Sequence, residues 1–163
     1  MIRAARESDG EPLAALYNHY VRHTATTFET EPINGRDMFS RVAAVQQIGL
    51  PWLVLEEDGK LQGYACAVRW KGRAAYQNSV ESTIYLAEGL GGRGLGTLLY
   101  EELLAQLRNR GMHCALGGIA LPNAASVALH ERMGFEKVAH LKEVGRKFDR
   151  WIDVGYWQCM LDR

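Results

Sequence analysis

Four glycines fall within six residues just past the middle of the chain, in Gly91-Gly92-Arg93-Gly94-Leu95-Gly96-Thr97. Glycine lacks a Cβ, so a backbone rich in it can crowd a ligand and aim several N–H groups at it. Before this stretch runs Ser82-Thr83-Ile84-Tyr85-Leu86, β-branched and apolar, which reads as a strand. After it Leu95, Leu99, Leu103 and Leu107 recur every four residues, the stripe of an amphipathic helix. A strand, a glycine turn and a helix N-terminus together make an anion site, because the first helical amides lack carbonyl partners and carry the positive end of the dipole. The ligand class is a phosphate or pyrophosphate; the plain alternative is a turn that only joins strand to helix. A P-loop would need lysine before the threonine, and here Gly96 precedes Thr97. A dinucleotide fold would carry G-x-G-x-x-G after its first strand, whereas this spacing is G-x-x-G-x-G in the second half of the chain.

Glu81 lies at the start of the preceding strand. By alternation Glu81, Thr83 and Tyr85 share one face, and Val80, Ser82, Ile84 and Leu86 the other. A carboxylate on a central strand is a general base raised by burial, or a structural acid bonded to Arg73 or a backbone amide. Lys71 and Arg73, beside Trp70 and Tyr76, suit a small carboxylate or phosphinate; they also fit a solvated loop. Phe28, inside the polar stretch from Thr24 to Thr30, either anchors that loop or walls a pocket. Asn123 caps a short helix or reaches a ligand, and His130 on that helix serves packing, surface or catalysis.

The elements that hold these residues follow from the chain's punctuation. With 163 residues, 47% of them apolar, the chain predicts one domain, 1–163, with one core. Ile2 to Ala5 reads as a strand, Ser8 or Asp9 as the cap of a first helix, and Asn34 or Asp37 as the start of a second reaching Ile48. Trp52 to Glu56 and Leu61 to Trp70 flank a hairpin turn at Asp58-Gly59. The glycine-turn helix runs to Arg110, a strand spans Cys114 to Ile119, and a short helix Ala124 to Met133. Phe135 to Val144 and Trp151 to Met160 are the last strands, joined by Gly145 to Asp149. Hairpins mixed with helices predict an α+β fold.

Formal net charge is zero, so nothing favours nucleic acid or an anionic membrane. Cys66, Cys114 and Cys159 are scattered and odd in number, without metal-ligand spacing, which suits core thiols in a reducing cytoplasm. Neither a signal peptide nor a long apolar span is predicted.

Several motifs align in order along nearly the whole chain: Asn18-His19-Tyr20; Phe28 with Glu31-Pro32; Trp70-Lys71-Gly72-Arg73 with Tyr76; Val80-Glu81-Ser82-Thr83-Ile84-Tyr85; Leu121-Pro122-Asn123; Leu129-His130-Glu131; and Trp151-Ile152-Asp153-Val154-Gly155-Tyr156-Trp157-Gln158. With the glycine turn, they resemble the phosphinothricin and methionine sulfoximine N-acetyltransferases of the GNAT superfamily. Gly91 stands where that family usually has Gln or Arg, which leaves the backbone cradle intact.

The resemblance implies a splayed, mostly antiparallel central sheet with helices on both faces. It implies acetyl-CoA in the splay, its pantetheine on Ile84, Tyr85 and Leu86, its pyrophosphate on Gly92, Arg93, Gly94, Leu95, Gly96 and Thr97, and a contact from Asn123. It further implies that Phe28, Lys71, Arg73 and Tyr76 line the acceptor pocket, that the chain is a homodimer, and that Val154 serves the partner's pocket. The expected reaction is direct acetyl transfer to the amine of a small amino acid, with Glu81 as base, Tyr100 as proton donor to the departing thiolate and His130 as a second base. The competing reading is a non-catalytic acetyl-CoA-binding module.

Overall fold

The computed structural model describes residues 1–163. β1 (Ile2–Ala4) leads through a 3-10 turn at Glu7–Asp9 into α1 (Gly10–His23), and α2 (Gly35–Gln47) follows a loop. β2 (Trp52–Glu57) and β3 (Lys60–Arg69) form a hairpin, and a second 3-10 turn, Ala74–Tyr76, precedes β4 (Ser79–Leu86). The glycine turn opens α3 (Leu95–Asn109); β5 (Cys114–Leu121), α4 (Ala124–Arg132), β6 (Glu136–Lys147) and β7 (Arg150–Met160) complete the order.

Local chemistry explains most of the boundaries. Asp58 and Gly59 take φ of 51° and 74°, the positive pair that a two-residue hairpin needs. Asn34 caps α2 by accepting the Asp37 amide at 2.8 Å. Asp9 departs from its expected role as a cap. Its carboxylate accepts the Arg3 guanidinium at 2.7 and 2.8 Å and the Arg6 amide at 2.8 Å, because a two-pronged charged donor outcompetes a helix amide. No helix is long and apolar enough to cross a membrane.

The fold is mixed αβ, and its seven strands form one sheet in the order β1-β2-β3-β4-β5-β7-β6. All neighbours are antiparallel except β4 and β5. That parallel pairing lasts three residues, Ser79, Val80 and Glu81 against Cys114, Ala115 and Leu116. Beyond it β4 keeps only β3 as partner, and β5 only β7, so the sheet splays open just after Glu81. Helices cover both faces. Tyr85 meets Tyr17 and Tyr20 of α1 at ring-centroid distances of 5.4 and 4.8 Å, while Ser82, on the other face, bonds Tyr100 of α3 at 2.6 Å. Leu99, Leu103 and Leu107 are fully buried. At about 1.5–3 kcal/mol per buried leucine, this stripe presses the glycine-turn helix onto the sheet.

The last hairpin corrects the sequence reading. Strands continue through Gly145, Arg146 and Lys147, and only Phe148 and Asp149 form the turn, at φ of 52° and 57°. Tertiary contacts outweigh the turn-forming composition here. Lys147 is buried and donates to the Thr27 carbonyl at 2.8 Å, and the Phe28 ring packs onto Gly145, where any Cβ would collide with it.

Candidate active site

The splay between β4 and β5 is walled by two consecutive glycines that the sequence reading did not single out. At Gly117 a Cβ would stand 2.5 Å from His130 Nε2; at Gly118 it would stand 3.1 Å from the Tyr156 ring and 3.4 Å from Glu81 Oε1. Gly117 therefore admits the imidazole from one face of the sheet, and Gly118 admits the carboxylate and phenol from the other. The available signal was two glycines inside an apolar strand, which mark close approach of other groups to the backbone.

Glu81 borders a cavity of about 400 Å³. Burial raises its pKa and the nearby Lys71 ammonium opposes that rise; no hydrogen bond contributes. The structural-acid alternative, a bond to Arg73 or an amide, is thus not realised. Thr27, Phe28, Leu141, Val144, Val154 and Tyr156 give the cavity a largely apolar wall. Val154, expected to serve a partner's pocket, borders the cavity of its own chain.

A second groove, of about 620 Å³, joins the cavity at Thr26, Ile84, Tyr85, Asn123 and Ser126 and runs along the glycine turn. Gly92 and Gly94 hold φ of 80° and 77°, open only to glycine without strain, and the space where a Cβ would sit is empty at both. The first helical bond of α3 is Leu98 N–H to the Gly94 carbonyl at 3.2 Å, so the amides of Leu95, Gly96 and Thr97 have no helical partner. Arg93 leaves the groove and pairs with Glu57 at 3.5 Å. Arg132, missed from sequence, lines the groove with its guanidinium 3.4 Å from Thr97 Oγ1.

Strand alternation settles which amides face the gap. Ala87 N–H bonds the Gln62 carbonyl at 2.8 Å and Trp70 N–H bonds the Ser79 carbonyl at 3.1 Å, in one unbroken register. Odd-numbered residues of β4 therefore bond β3, and the backbone of Tyr85 is committed there. Ile84 and Leu86 turn toward the gap, and the Leu86 carbonyl already accepts the Tyr20 hydroxyl at 2.6 Å. Of the three expected strand contacts, Tyr85 is thus placed by its ring and not by its peptide.

On the far side of the gap three buried groups are chained. Ser82 Oγ lies 2.6 Å from the Tyr100 hydroxyl, which lies 3.1 Å from His130 Nε2. His130 Nδ1 lies 2.7 Å from the Ser126 carbonyl, which can only accept. The proton therefore sits on Nδ1, Nε2 accepts from Tyr100, and Tyr100 accepts from Ser82. Burial lowers the His130 pKa, which keeps this neutral tautomer, and burial also raises that of Tyr100. Ser82 and His130 border the cavity; Tyr100, with 0% exposure, reaches it only through them. A direct transfer from Tyr100 to a leaving group is set back by that layer.

Asn123 accepts the Ser126 amide at 3.1 Å, capping α4, and its side of the turn borders both hollows. Lys71, Arg73 and Tyr76 lie in the exposed β3–β4 loop outside both hollows, with the Lys71 ammonium 4.9 Å from the Trp70 ring. The loop carries a 3-10 turn at Ala74–Tyr76 with no buried residue. Cys66, Cys114 and Cys159 are free and buried, and burial pushes the Cys66 thiol up to about 12.

Comparison with known proteins agrees with this geometry. Residues 2–155 match the acetyltransferase (GNAT) domain. The chain is 42% identical over 160 residues to a phosphinothricin N-acetyltransferase of Streptomyces coelicolor, covering 96% of this chain and 94% of that one. It is 35% identical over 161 residues to an L-methionine sulfoximine/L-methionine sulfone acetyltransferase of Salmonella typhimurium, covering 99% and 94%. Its backbone superposes with a TM-score of 0.94 on a phosphinothricin acetyltransferase of Sinorhizobium meliloti solved with acetyl-CoA, at 31% identity over 98% of this chain and 87% of that one. An open strand edge meeting a glycine-cradled helix, on a sequence shared from end to end with such enzymes, makes this chain a member of the GNAT acetyltransferase family.

Proposed function

We propose that this protein transfers the acetyl group of acetyl-CoA to the amino group of a small amino acid of the phosphinothricin, methionine sulfoximine or methionine sulfone type. The observation that carries the reading is the junction of two hollows: an unbonded, burial-raised Glu81 in one, and a cradle of unpartnered amides in the other. The groove fits the cofactor, because Gly92 and Gly94 leave their Cβ space open and Ile84 offers a free peptide edge. Gly92 to Thr97 would hold the diphosphate, with Arg132 beside them; Ile84 and the Leu86 amide would hold the pantetheine, with Asn123 near its turn. Bound there, acetyl-CoA supplies an activated acetyl thioester.

An amino acid at neutral pH carries an ammonium, which is no nucleophile. Two protons leave that nitrogen in all. Glu81 takes the first, and its raised pKa brings it toward the operating range of a base. The second ends on the sulfur. The Ser82–Tyr100–His130 chain borders the cavity at Ser82 and His130 and is polarised to take that proton at Ser82, hold it at His130 Nε2 and return it by the same path to the departing thiolate. An amine bound in the cavity would lie against the groove, so positioning would supply much of the rate. Lys71 adds positive potential for an acceptor carboxylate, and Arg73 and Tyr76 share its loop.

The protein acts as a cytoplasmic homodimer in this reading. β6 is an unpaired sheet edge twelve residues long, and Val138, Val144, Phe148 and Trp151 expose apolar surface along that hairpin. Sedimentation at the monomer mass would refute the dimer.

Thiol release on mixing acetyl-CoA with methionine sulfone tests the activity. Glu81→Gln is expected to lower kcat about 100-fold or more while the KM for acetyl-CoA stays within twofold. Acetyl-CoA binding without thiol release, across an amino-acid panel, would leave a binding module instead.

A further inference from the structure

We propose that Asp153 is a positioning residue for the acceptor cavity, holding a bulge of β6 that turns both Leu141 and Val144 to its wall. The proposal rests on reading that cavity as the acceptor site. β6 pairs with β7 at Leu141↔Val154 and resumes at Gly145↔Ile152. Lys142, Glu143 and Val144 thus stand opposite one residue, Asp153. In an unbroken strand, residues three apart face opposite sides. Here both Leu141 and Val144 border the cavity, because the bulge re-aims one of them.

Such a bulge leaves backbone groups without ladder partners, and Asp153 supplies one. Its Oδ1 accepts the amide of Glu143, a residue held at φ 50°, at 2.8 Å. Its Oδ2 lies 2.7 Å from His140 Nε2, and His140 Nδ1 lies 2.9 Å from the Lys137 ammonium. An ammonium only donates, so Nδ1 accepts, the imidazole proton sits on Nε2, and Asp153 is the acceptor at both oxygens. Lys137 is itself seated 5.3 Å from the Trp157 ring. The chain of contacts runs along β6 from Lys137, which flanks a smaller register shift before Ala139, into the bulge, and the His140 and Glu143 donors hold the Asp153 carboxyl below its ordinary range. Gly145, the first residue after the bulge, is where Phe28 packs, so the same bulge fixes the seat of a third wall residue.

Asp153→Ala and Asp153→Asn test this. The asparagine keeps an oxygen for the Glu143 amide and the alanine does not. Asp153→Ala is expected to raise the KM for methionine sulfone at least fivefold, with kcat and the KM for acetyl-CoA within twofold, and to speed amide hydrogen exchange at residues 141–145. Asp153→Asn keeps the Glu143 bond but sets an amide N–H against the His140 Nε2–H, so it should recover part of both changes. Faster exchange with an unchanged acceptor KM would overturn the link to the cavity; unchanged exchange in the alanine variant would overturn the hold on the bulge. Should the wild type acetylate no amino acid, the functional reading fails. Exchange at Glu143 then decides alone whether Asp153 holds the bulge.

Discussion

Gly117→Ala strikes the site from behind, at a position that borders neither hollow. The new Cβ would lie 2.5 Å from His130 Nε2 and 2.7 Å from its Cδ2. A relaxed contact needs about 3.5 Å, so the ring must retreat by about 1 Å. It cannot slide freely, since Nδ1 is tied to the Ser126 carbonyl at 2.7 Å. The Tyr100 bond, 3.1 Å at rest, then stretches beyond the hydrogen-bonding range. Overpacking costs about 1–3 kcal/mol, and an orphaned buried acceptor about as much again. At about 2–4 °C per kcal/mol for a chain of this size, the melting temperature should fall by roughly 5–20 °C. Turnover should fall about tenfold or more, because the proton-holding chain is cut, while the KM for acetyl-CoA stays near wild type. Thermal melts and thiol release read these two effects. The double variant with His130→Ala removes the ring and should regain stability without regaining turnover, a coupling that a double-mutant cycle isolates. If Gly117→Ala melts with the wild type and keeps its kcat, neither the close approach of His130 nor its role in turnover survives.

Two further predictions use charge. Lys71→Met removes the cation that opposes the raised Glu81 pKa, so the acid limb of the kcat/KM profile should move to higher pH; an unmoved limb would dissociate Lys71 from Glu81. Asp9 has its carboxyl lowered first by the Arg3 hydrogen bond, then by the Arg6 amide, against burial. Its folded value lies below an unfolded value of about 3.9, so its stabilisation is complete above that pH and lost as pH falls through the folded value. Urea unfolding of Asp9→Asn should therefore show a deficit at pH 7 that closes in acid, and a deficit independent of pH would rule out the ion pair as its source.

What could be read from the chain alone was what depends on near neighbours. The leucine stripe of α3 and the Asp58-Gly59 hairpin are set by backbone angles and periodicities within a few residues and stand where they were expected, and of the two expected starts of α2, Asn34 and Asp37, Asn34 is the cap. The alternation that parts Glu81 from Ser82 is equally local, and it assigned the two to opposite faces of β4. Tertiary structure alone decided what those faces meet. Nothing within ten residues of Gly117 or Gly118 tells that an imidazole and a carboxylate press on them from opposite sides, since His130 and Glu81 arrive through helix packing and strand pairing. The family resemblance implied that Tyr100 faces the departing thiolate, yet it is sealed behind Ser82 and His130 because the whole α3 stripe is drawn into the core. Asp9, Lys147 and Asp153 likewise take partners 6, 120 and 10 residues away. A side chain's local preference is worth a few tenths of a kcal/mol, whereas a satisfied buried charge or a filled cavity is worth several times that, so distant contacts prevail wherever the two conflict.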